Sequence, residues 1–196
     1  MSKPRTRKRW IAFGGWVILS VSVILMAFLL LRIFITSSTG KGNPVLDAIT
    51  GIITFGILLP FAQWIVIRHY FPNSITWLLV SLLGMLIVYA IDIAITTIGI
   101  LPIQGAIRIL SLTISYGVIV GFAQWVFLRQ YVQNASLWVF ASAIGWGIMA
   151  MTTGAIIEGL LEILLFSALP AISTGVTLVY FLSTMPRSLG DKEIPV

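Results

Sequence analysis

The amino-acid sequence predicts an all-α integral membrane protein with six transmembrane helices. Of its 196 residues, 59% are hydrophobic and 9% are charged, whereas a soluble domain carries about 25% charged residues. The apolar residues fall in runs close to the roughly 20 residues that a helix needs to cross a bilayer. The predicted spans are 10–34, 45–67, 75–98, 103–128, 136–159 and 164–185. We therefore expect one transmembrane domain over 10–185, between a basic N-terminal segment, 1–9, and a C-terminal tail, 186–196.

Each predicted span is bounded by residues that favour turns over helix. The first apolar run, Trp10 to Leu31, exceeds the about 7–15 residues of a signal peptide, so we interpret it as a retained helix. The connections that follow contain SSTGKGNP (37–44), Pro72 with Asn73, Gly99 with Pro102, and Asn134. The fifth and sixth spans are joined within EGLLEILLFSALP, 158–170.

The basic residues predict that both termini are cytoplasmic. With the N-terminus inside, nine Lys and Arg side chains fall on the cytoplasmic side and three on the outer side, and cytoplasmic loops carry such an excess. The same arrangement places Trp10, Trp77 and Trp138 at the cytoplasmic starts of spans one, three and five. We expect these indoles to anchor the helices at the interface, in a bacterial cytoplasmic (inner) membrane.

Residues 56–84 and 117–145 repeat one pattern at a distance of 61 residues. Aligned without gaps, the two stretches share eleven of 29 residues. Each copy covers the two sides of a helical hairpin with a cytoplasmic loop. The sequence therefore predicts tandem parallel two-helix repeats, over about 45–98 and 103–159.

The shared residues suit helix packing. Gly117, Gly121 and Gln124 lie on one face of a helix, where small residues allow a close approach and the amide can bond across the contact. Pro60 replaces the second glycine in the first copy, which predicts a kink. The structural set of the repeat is Gln63, Trp64, Arg68, Gln124, Trp125 and Arg129. The alternative is that Gln63 and Gln124 recognise a ligand.

The loops of the repeat carry matched polar residues. We expect Arg68 and Arg129 to reach the cytoplasmic headgroups. Asn73 and Asn134 precede the returning helices and are predicted to cap them.

The pattern GxxxGxxQWxxLR, followed by W-x-x-A-S-x-x-G-W, resembles repeats of uncharacterised multi-pass membrane proteins from bacteria such as cyanobacteria and Chloroflexota. The better copy runs from Gly117 to Trp146, and the first copy departs from it at Pro60, Ile67 and Met85. The resemblance covers about half of the chain and implies membership of this group, without an activity.

A third, weaker copy is split between the two ends of the chain. Gly175 and Arg187 lie 58 residues after Gly117 and Arg129, and Trp10 followed by Gly14 echoes the start of each returning helix. Helices six and one would then form a third hairpin, and the fold would be pseudo-threefold.

Five charged residues lie toward the outer third of the predicted spans, where charges are costly and indicate function. They are Asp92, Arg108, Asp47, Glu158 and Glu162. As a hypothesis, they form an outward-facing polar pocket with Asp92 at its floor and Arg108 as its counter-charge. The alternatives are hydrated charges at helix ends, or a structural pair of Asp92 with Arg108.

The sequence lacks the residues that most catalytic sites need. It has no Cys and one His, and no G-x-S-x-G motif, so neither an enzymatic activity nor a metal site is predicted. No cofactor is predicted, although the apolar surface suits a bound lipid or pigment. Five of the twelve basic residues lie in the first nine positions, which is typical of a topology signal beside lipid, so nucleic acid is not an expected partner.

Two functions remain as expectations. The first is a non-catalytic accessory or scaffold subunit of a larger membrane complex, in contact with lipid, quinone or pigment, because almost every residue is intramembrane. Its partners would be membrane lipids and other integral membrane subunits. The alternative is a small carrier or solute-binding membrane subunit with the outward-facing polar pocket.

Overall fold

The computed structural model describes residues 3–37, 49, 52–98, 106–152 and 160–185. The described part contains six α-helices, as the sequence predicts, and no strand. Their bounds are α1 Lys3–Ser37, α2 Leu59–Ile67, α3 Ile75–Ile98, α4 Ala106–Leu128, α5 Ser136–Thr152 and α6 Leu160–Thr184. A π-helical segment, Ile52–Leu58, leads directly into α2.

Three stretches of the described residues are long and apolar enough to cross a membrane. They are Lys8–Met26, Ile75–Ile95 and Ser167–Thr184, in α1, α3 and α6. The other three apolar stretches are shorter, at 10–17 residues. The all-helical, strongly apolar chain is therefore compatible with a membrane protein.

The six helices form a closed ring. Within the described residues, the backbone of each helix lies close to those of the helices before and after it in the chain, and α6 packs back on α1. Side chains of α1, α3 and α5 also meet in the centre of the ring. We call the end of the ring that carries the loops at 68–74 and 129–135 the loop end, and the opposite end the far end. The side chains in the centre of the ring lie along one axis.

The outer surface of the ring is apolar, unlike that of a water-soluble protein. Large apolar side chains on the outside of the described helices are exposed, among them Ile18, Leu79, Phe140 and Val176. The buried polar side chains lie inside, and they are Ser20, Thr54, Ser74, Ser81, Gln124, Ser142, Ser167 and Thr174. Small and polar residues at helix contacts, with apolar residues outside, are typical of helices that pack in lipid.

Glycine permits a close contact between α4 and α5. A Cβ added to Gly117 would lie 2.9 Å from the carbonyl oxygen of Ser142 and 2.9 Å from Cβ of Trp146. A Cβ added to Gly121 would lie 2.9 Å from Cβ of Ser142. The predicted glycine face of α4 is therefore the face that packs against α5.

The first copy of the pattern departs from an α-helix before its proline. Pro60 follows the π-helical segment at the start of α2. A proline ring clashes with the carbonyl group four residues earlier and has no N–H to donate, and a wider π turn accommodates such a defect. The sequence predicts a kink at Pro60, but the π-helical form of the segment has no sequence signal of its own.

Candidate functional site

Three tryptophans fill the axis of the ring. Trp16, Trp77 and Trp138 come from α1, α3 and α5, and successive members of the set are 61 residues apart. All three are 0% exposed. Their ring centroids are 5.4–6.0 Å apart and each pair meets edge to face, an arrangement that aromatic quadrupoles favour. We call this set the tryptophan layer.

The tryptophan layer corrects two predictions. Trp77 and Trp138 are not interfacial anchors, because they are fully buried against each other. Trp10 is not the α1 counterpart of these residues, since it is 60% exposed and packs on Phe13, whereas Trp16 lies in the layer. Three helices that meet on one axis leave a space that large rings fill, and hydropathy alone does not separate a buried indole from an interfacial one.

A buried glutamine joins three helices beside the tryptophan layer. The indole N–H of Trp138 donates to Oε1 of Gln124 at 2.8 Å, and Nε2 of Gln124 donates to Oγ of Ser81 at 3.0 Å. Gln124 itself is 5% exposed. We call these three side chains the Gln124 clamp, and it connects α4 to both α3 and α5.

The Trp16 indole is hydrogen-bonded to a hydroxyl group. The N–H of Trp16 donates to Oγ1 of Thr174 at 3.0 Å, which ties α1 to α6. The Thr174 hydroxyl donates in turn to the carbonyl oxygen of Pro170 at 2.6 Å. This carbonyl belongs to the proline inside α6, so the hydroxyl bonds both to α1 and to its own helix.

A small polar cavity lies on the axis, beyond the tryptophan layer. Its volume is about 20 Å³, which is enough for one water molecule. Its polar lining comes from five helices and consists of Ser20, Gln63, Gln124, Ser142 and Thr174. We call it the axial cavity. Tyr116 and Trp146 also line it, and their rings, 4.3 Å apart, belong to a second aromatic cluster toward the far end.

A larger cavity lies beyond this second cluster. Its volume is about 130 Å³, and its lining residues are Phe55, Met85, Val88, Tyr89, Thr113, Tyr116, Trp146 and Met149. Three of its aromatic side chains contact one another, because Phe55 packs on both Tyr116 and Trp146. The Tyr116 hydroxyl donates to the carbonyl oxygen of Phe55 at 3.1 Å. We call this the far-end cavity, and its wall is mainly aromatic and aliphatic.

Asp92 lies close to the far-end cavity without lining it. It is half-buried on α3, one turn beyond Tyr89, which lines the cavity. The α3 positions on the same face, Gly84, Met85 and Val88, are buried. The predicted face of α3 therefore turns toward the interior.

The other four charges of the predicted pocket are not placed. Asp47 and Glu158 lie outside the described residues. Arg108 lies on α4 and Glu162 on α6, where the backbone is described and the side chains are not. The polar pocket therefore stays a prediction, and the described cavity near Asp92 is an apolar one.

The loop end carries two matched pairs of arginine and tryptophan. The guanidinium of Arg68 lies 5.2 Å from the Trp64 ring centre, and that of Arg129 lies 5.0 Å from the Trp125 ring centre. Both arginines are exposed, so each combines a cation–π contact with access to the surroundings. The spacing of four residues on one helix face explains why each copy has Trp and Arg at this distance.

Asn73 does not have the predicted capping role. Asn73 has φ 52, the left-handed conformation that Asn tolerates better than most residues, whereas an N-cap is typically extended. The Asn134 amide donates to the hydroxyl of Tyr180 at 3.3 Å and so ties the loop to α6. The loops are also joined to each other, since the Tyr131 hydroxyl donates to the carbonyl oxygen of Pro72 at 2.8 Å.

The chemistry of the described site is hydrogen bonding and apolar contact. Among the residues that the structure describes, no group of three or more His, Cys, Asp or Glu side chains could hold a metal ion. The axial groups are amides, hydroxyls and indoles, which position helices and bind neutral molecules. No known protein family, no curated protein and no solved structure matches this chain.

Proposed function

We propose that the chain is a six-span membrane protein built from three pseudo-equivalent hairpins, α2–α3, α4–α5 and α6–α1. This proposal is supported by a spacing of Trp and Ser that three helices have in common. Trp16, Trp77 and Trp138 recur every 61 residues, and a buried serine follows each of them four residues later, namely Ser20, Ser81 and Ser142. The contact of α6 with α1 closes the third pair in space. Trp16 is the counterpart of the other two indoles in this arrangement.

Its proposed function is that of a non-catalytic accessory or scaffold subunit in a larger complex of the bacterial inner membrane. The observation that carries this proposal is the tryptophan layer, because it fills the axis of the ring. The Tyr116 and Trp146 rings lie on the other side of the axial cavity. A route for a solute along this axis would require α1, α3 and α5 to separate and the Gln124 clamp to break.

The outer surface supports the same role. Exposed side chains on the described helices are mostly large and apolar, so the protein meets its partners through faces that lie in lipid. Such faces pack against other helices through shape and small residues. Lipids and other integral membrane subunits are the proposed partners.

The far-end cavity indicates what a bound molecule would be. Aromatic, Met and Val side chains make up its wall, together with the side chain of Thr113. Apolar walls with few polar groups bind apolar ligands. We therefore propose a lipid chain, or the ring of a quinone or pigment, as its occupant.

A carrier or solute-binding role is the second candidate, and one observation favours it. Asp92 lies on the inward face of α3, one turn from a residue of the far-end cavity. A carboxylate at this depth of a membrane helix is costly and commonly functional. In this alternative, Asp92 and the four unplaced charges form the outward-facing polar pocket.

Purification of the tagged full chain from its native membrane tests the proposal. We expect it to elute with other integral membrane proteins in mild detergent, and native mass spectrometry to find bound lipid, quinone or pigment. A monomer that carries none of these, and that one water-soluble metabolite stabilises against heat, would favour the carrier instead.

A further inference from the structure

Two deeply buried polar atoms near the axis lack a hydrogen-bond partner. They are Oγ of Ser20, on α1, and Nε1 of Trp77, on α3. Ser20 is 1% exposed and Trp77 is 0% exposed. Buried polar side-chain atoms are nearly always paired in native proteins, so each of these two atoms indicates a group that is close by and able to reach it.

The 61-residue repeat identifies the group that could pair with these two atoms. In the Gln124 clamp, one amide accepts from Trp138 and donates to Ser81. The positions 61 residues before Gln124, Trp138 and Ser81 are Gln63, Trp77 and Ser20. The two unpaired atoms are therefore the two that a clamp centred on Gln63 would use.

Gln63 is placed to do this. It is a half-buried residue of α2, and it lines the axial cavity together with Ser20. Its amide has no hydrogen-bond partner among the described residues. The Trp77 N–H can donate and the Ser20 oxygen can accept, and the Gln63 amide can both accept and donate. These three groups lie on adjoining helices.

We propose that Gln63 forms a second clamp. The N–H of Trp77 donates to Oε1 of Gln63, and Nε2 of Gln63 donates to Oγ of Ser20. This clamp joins α2 to α1 and α3, as the Gln124 clamp joins α4 to α3 and α5. The assignment rests on the three-hairpin arrangement proposed above, and it explains why the chain carries the Gln-Trp pattern twice.

A water molecule is the competing partner for one of the two atoms. The axial cavity has room for one water, and Ser20 lines that cavity. Trp77 does not line it, so a water there leaves the indole unpaired. Whether the Trp77 N–H is hydrogen-bonded therefore distinguishes the Gln63 clamp from a water molecule in the axial cavity.

The indole resonances of the full chain test the proposal. The protein, labelled with ¹⁵N-tryptophan and held in detergent micelles, has seven tryptophans, and Trp77→Phe and Trp138→Phe assign the two signals that matter. In the unaltered chain we expect the Trp77 indole proton at the downfield position of a hydrogen-bonded indole, as for Trp138. Gln63→Leu should move the Trp77 signal upfield and leave Trp138 in place, and Gln124→Leu should do the reverse.

Gln130→Leu is the matched control. Gln130 is exposed on the loop after α4, and its amide bonds only to the carbonyl oxygen of Val126, so this change should move neither signal. A Trp77 signal at the position of an unbonded indole in the unaltered chain would overturn the clamp, even if Gln63→Leu failed to fold. A Trp77 signal that Gln63→Leu leaves in place would overturn it as well.

The outcome is independent of the proposed scaffold role. A chain that purifies with other subunits but shows an unbonded Trp77 indole contradicts the clamp alone. A lone chain whose Trp77 signal responds to Gln63→Leu contradicts the scaffold role alone.

Discussion

Gly117→Ala should destabilise the ring, because the contact between α4 and α5 has no space for a methyl group. The added Cβ would lie 2.9 Å from the Ser142 carbonyl oxygen, 2.9 Å from Trp146 Cβ and 3.1 Å from Ala143 Cα. Two of these are backbone atoms, so only a movement of one helix away from the other relieves the overlap. Overpacking costs about 1–3 kcal/mol, while the better helix propensity of Ala contributes about 0.5–1 kcal/mol in the other direction. The two ranges together leave a net loss of about 0–2.5 kcal/mol, with a middle value of about 1 kcal/mol.

Gly14→Ala is the control for this experiment. A Cβ added to Gly14 on α1 meets no atom within 4 Å, so the change retains only the propensity gain of up to about 1 kcal/mol. Both variants are unfolded in mixed micelles with increasing SDS, and far-UV circular dichroism gives the midpoint. We expect a lower midpoint than wild type for Gly117→Ala and an equal or higher one for Gly14→Ala. Equal shifts for the two variants would refute the argument that close packing at Gly117 holds α4 against α5.

Three further predictions concern the Gln124 clamp, the topology and Asp92. Gln124→Leu should lower stability in the same assay by about 0.5–2 kcal/mol, in the range of interhelical hydrogen bonds in membranes. The exposed control Gln130→Leu should have no measurable effect, and equal effects of the two changes would contradict the Gln124 clamp. Reporter fusions after Lys41 and after Val196 should report opposite sides of the membrane if there are six spans, and matching sides would contradict that topology. Asp92→Asn should leave the set of co-purifying subunits unchanged if the protein is a scaffold, and a loss of solute uptake in cells with this variant would support the carrier instead.

The helix positions could be predicted because turn residues bound the apolar runs. The starts of α3 and α5 and the ends of α2, α3 and α4 agree with the predicted spans, and most of them adjoin a loop with Pro, Gly or Asn. The apolar run of the fifth span continues to 159, whereas α5 is described only to Thr152. Composition and periodicity thus predict where a helix lies, since both depend on local sequence.

The site was harder to predict, because it depends on which residues meet across the axis. Trp10 and Trp16 are both apolar-aromatic positions of α1, and only packing assigns Trp16 to the tryptophan layer. The predicted polar pocket was based on charge alone, whereas the cavity next to Asp92 owes its character to aromatic residues from four segments. The repeat offered a usable signal, since Trp16, Trp77 and Trp138 have equal spacing in the sequence.

The tie between Trp16 and Thr174 has a consequence for how the chain assembles. The two residues are 158 positions apart, so α1 reaches the ribosome exit long before its partner on α6 exists. At the usual ~5–20 residues per second, this delay is about 10–30 s. During that time the Trp16 N–H lacks its acceptor on α6. Long-range closure is slow in folding generally, and here translation itself makes closure the last step.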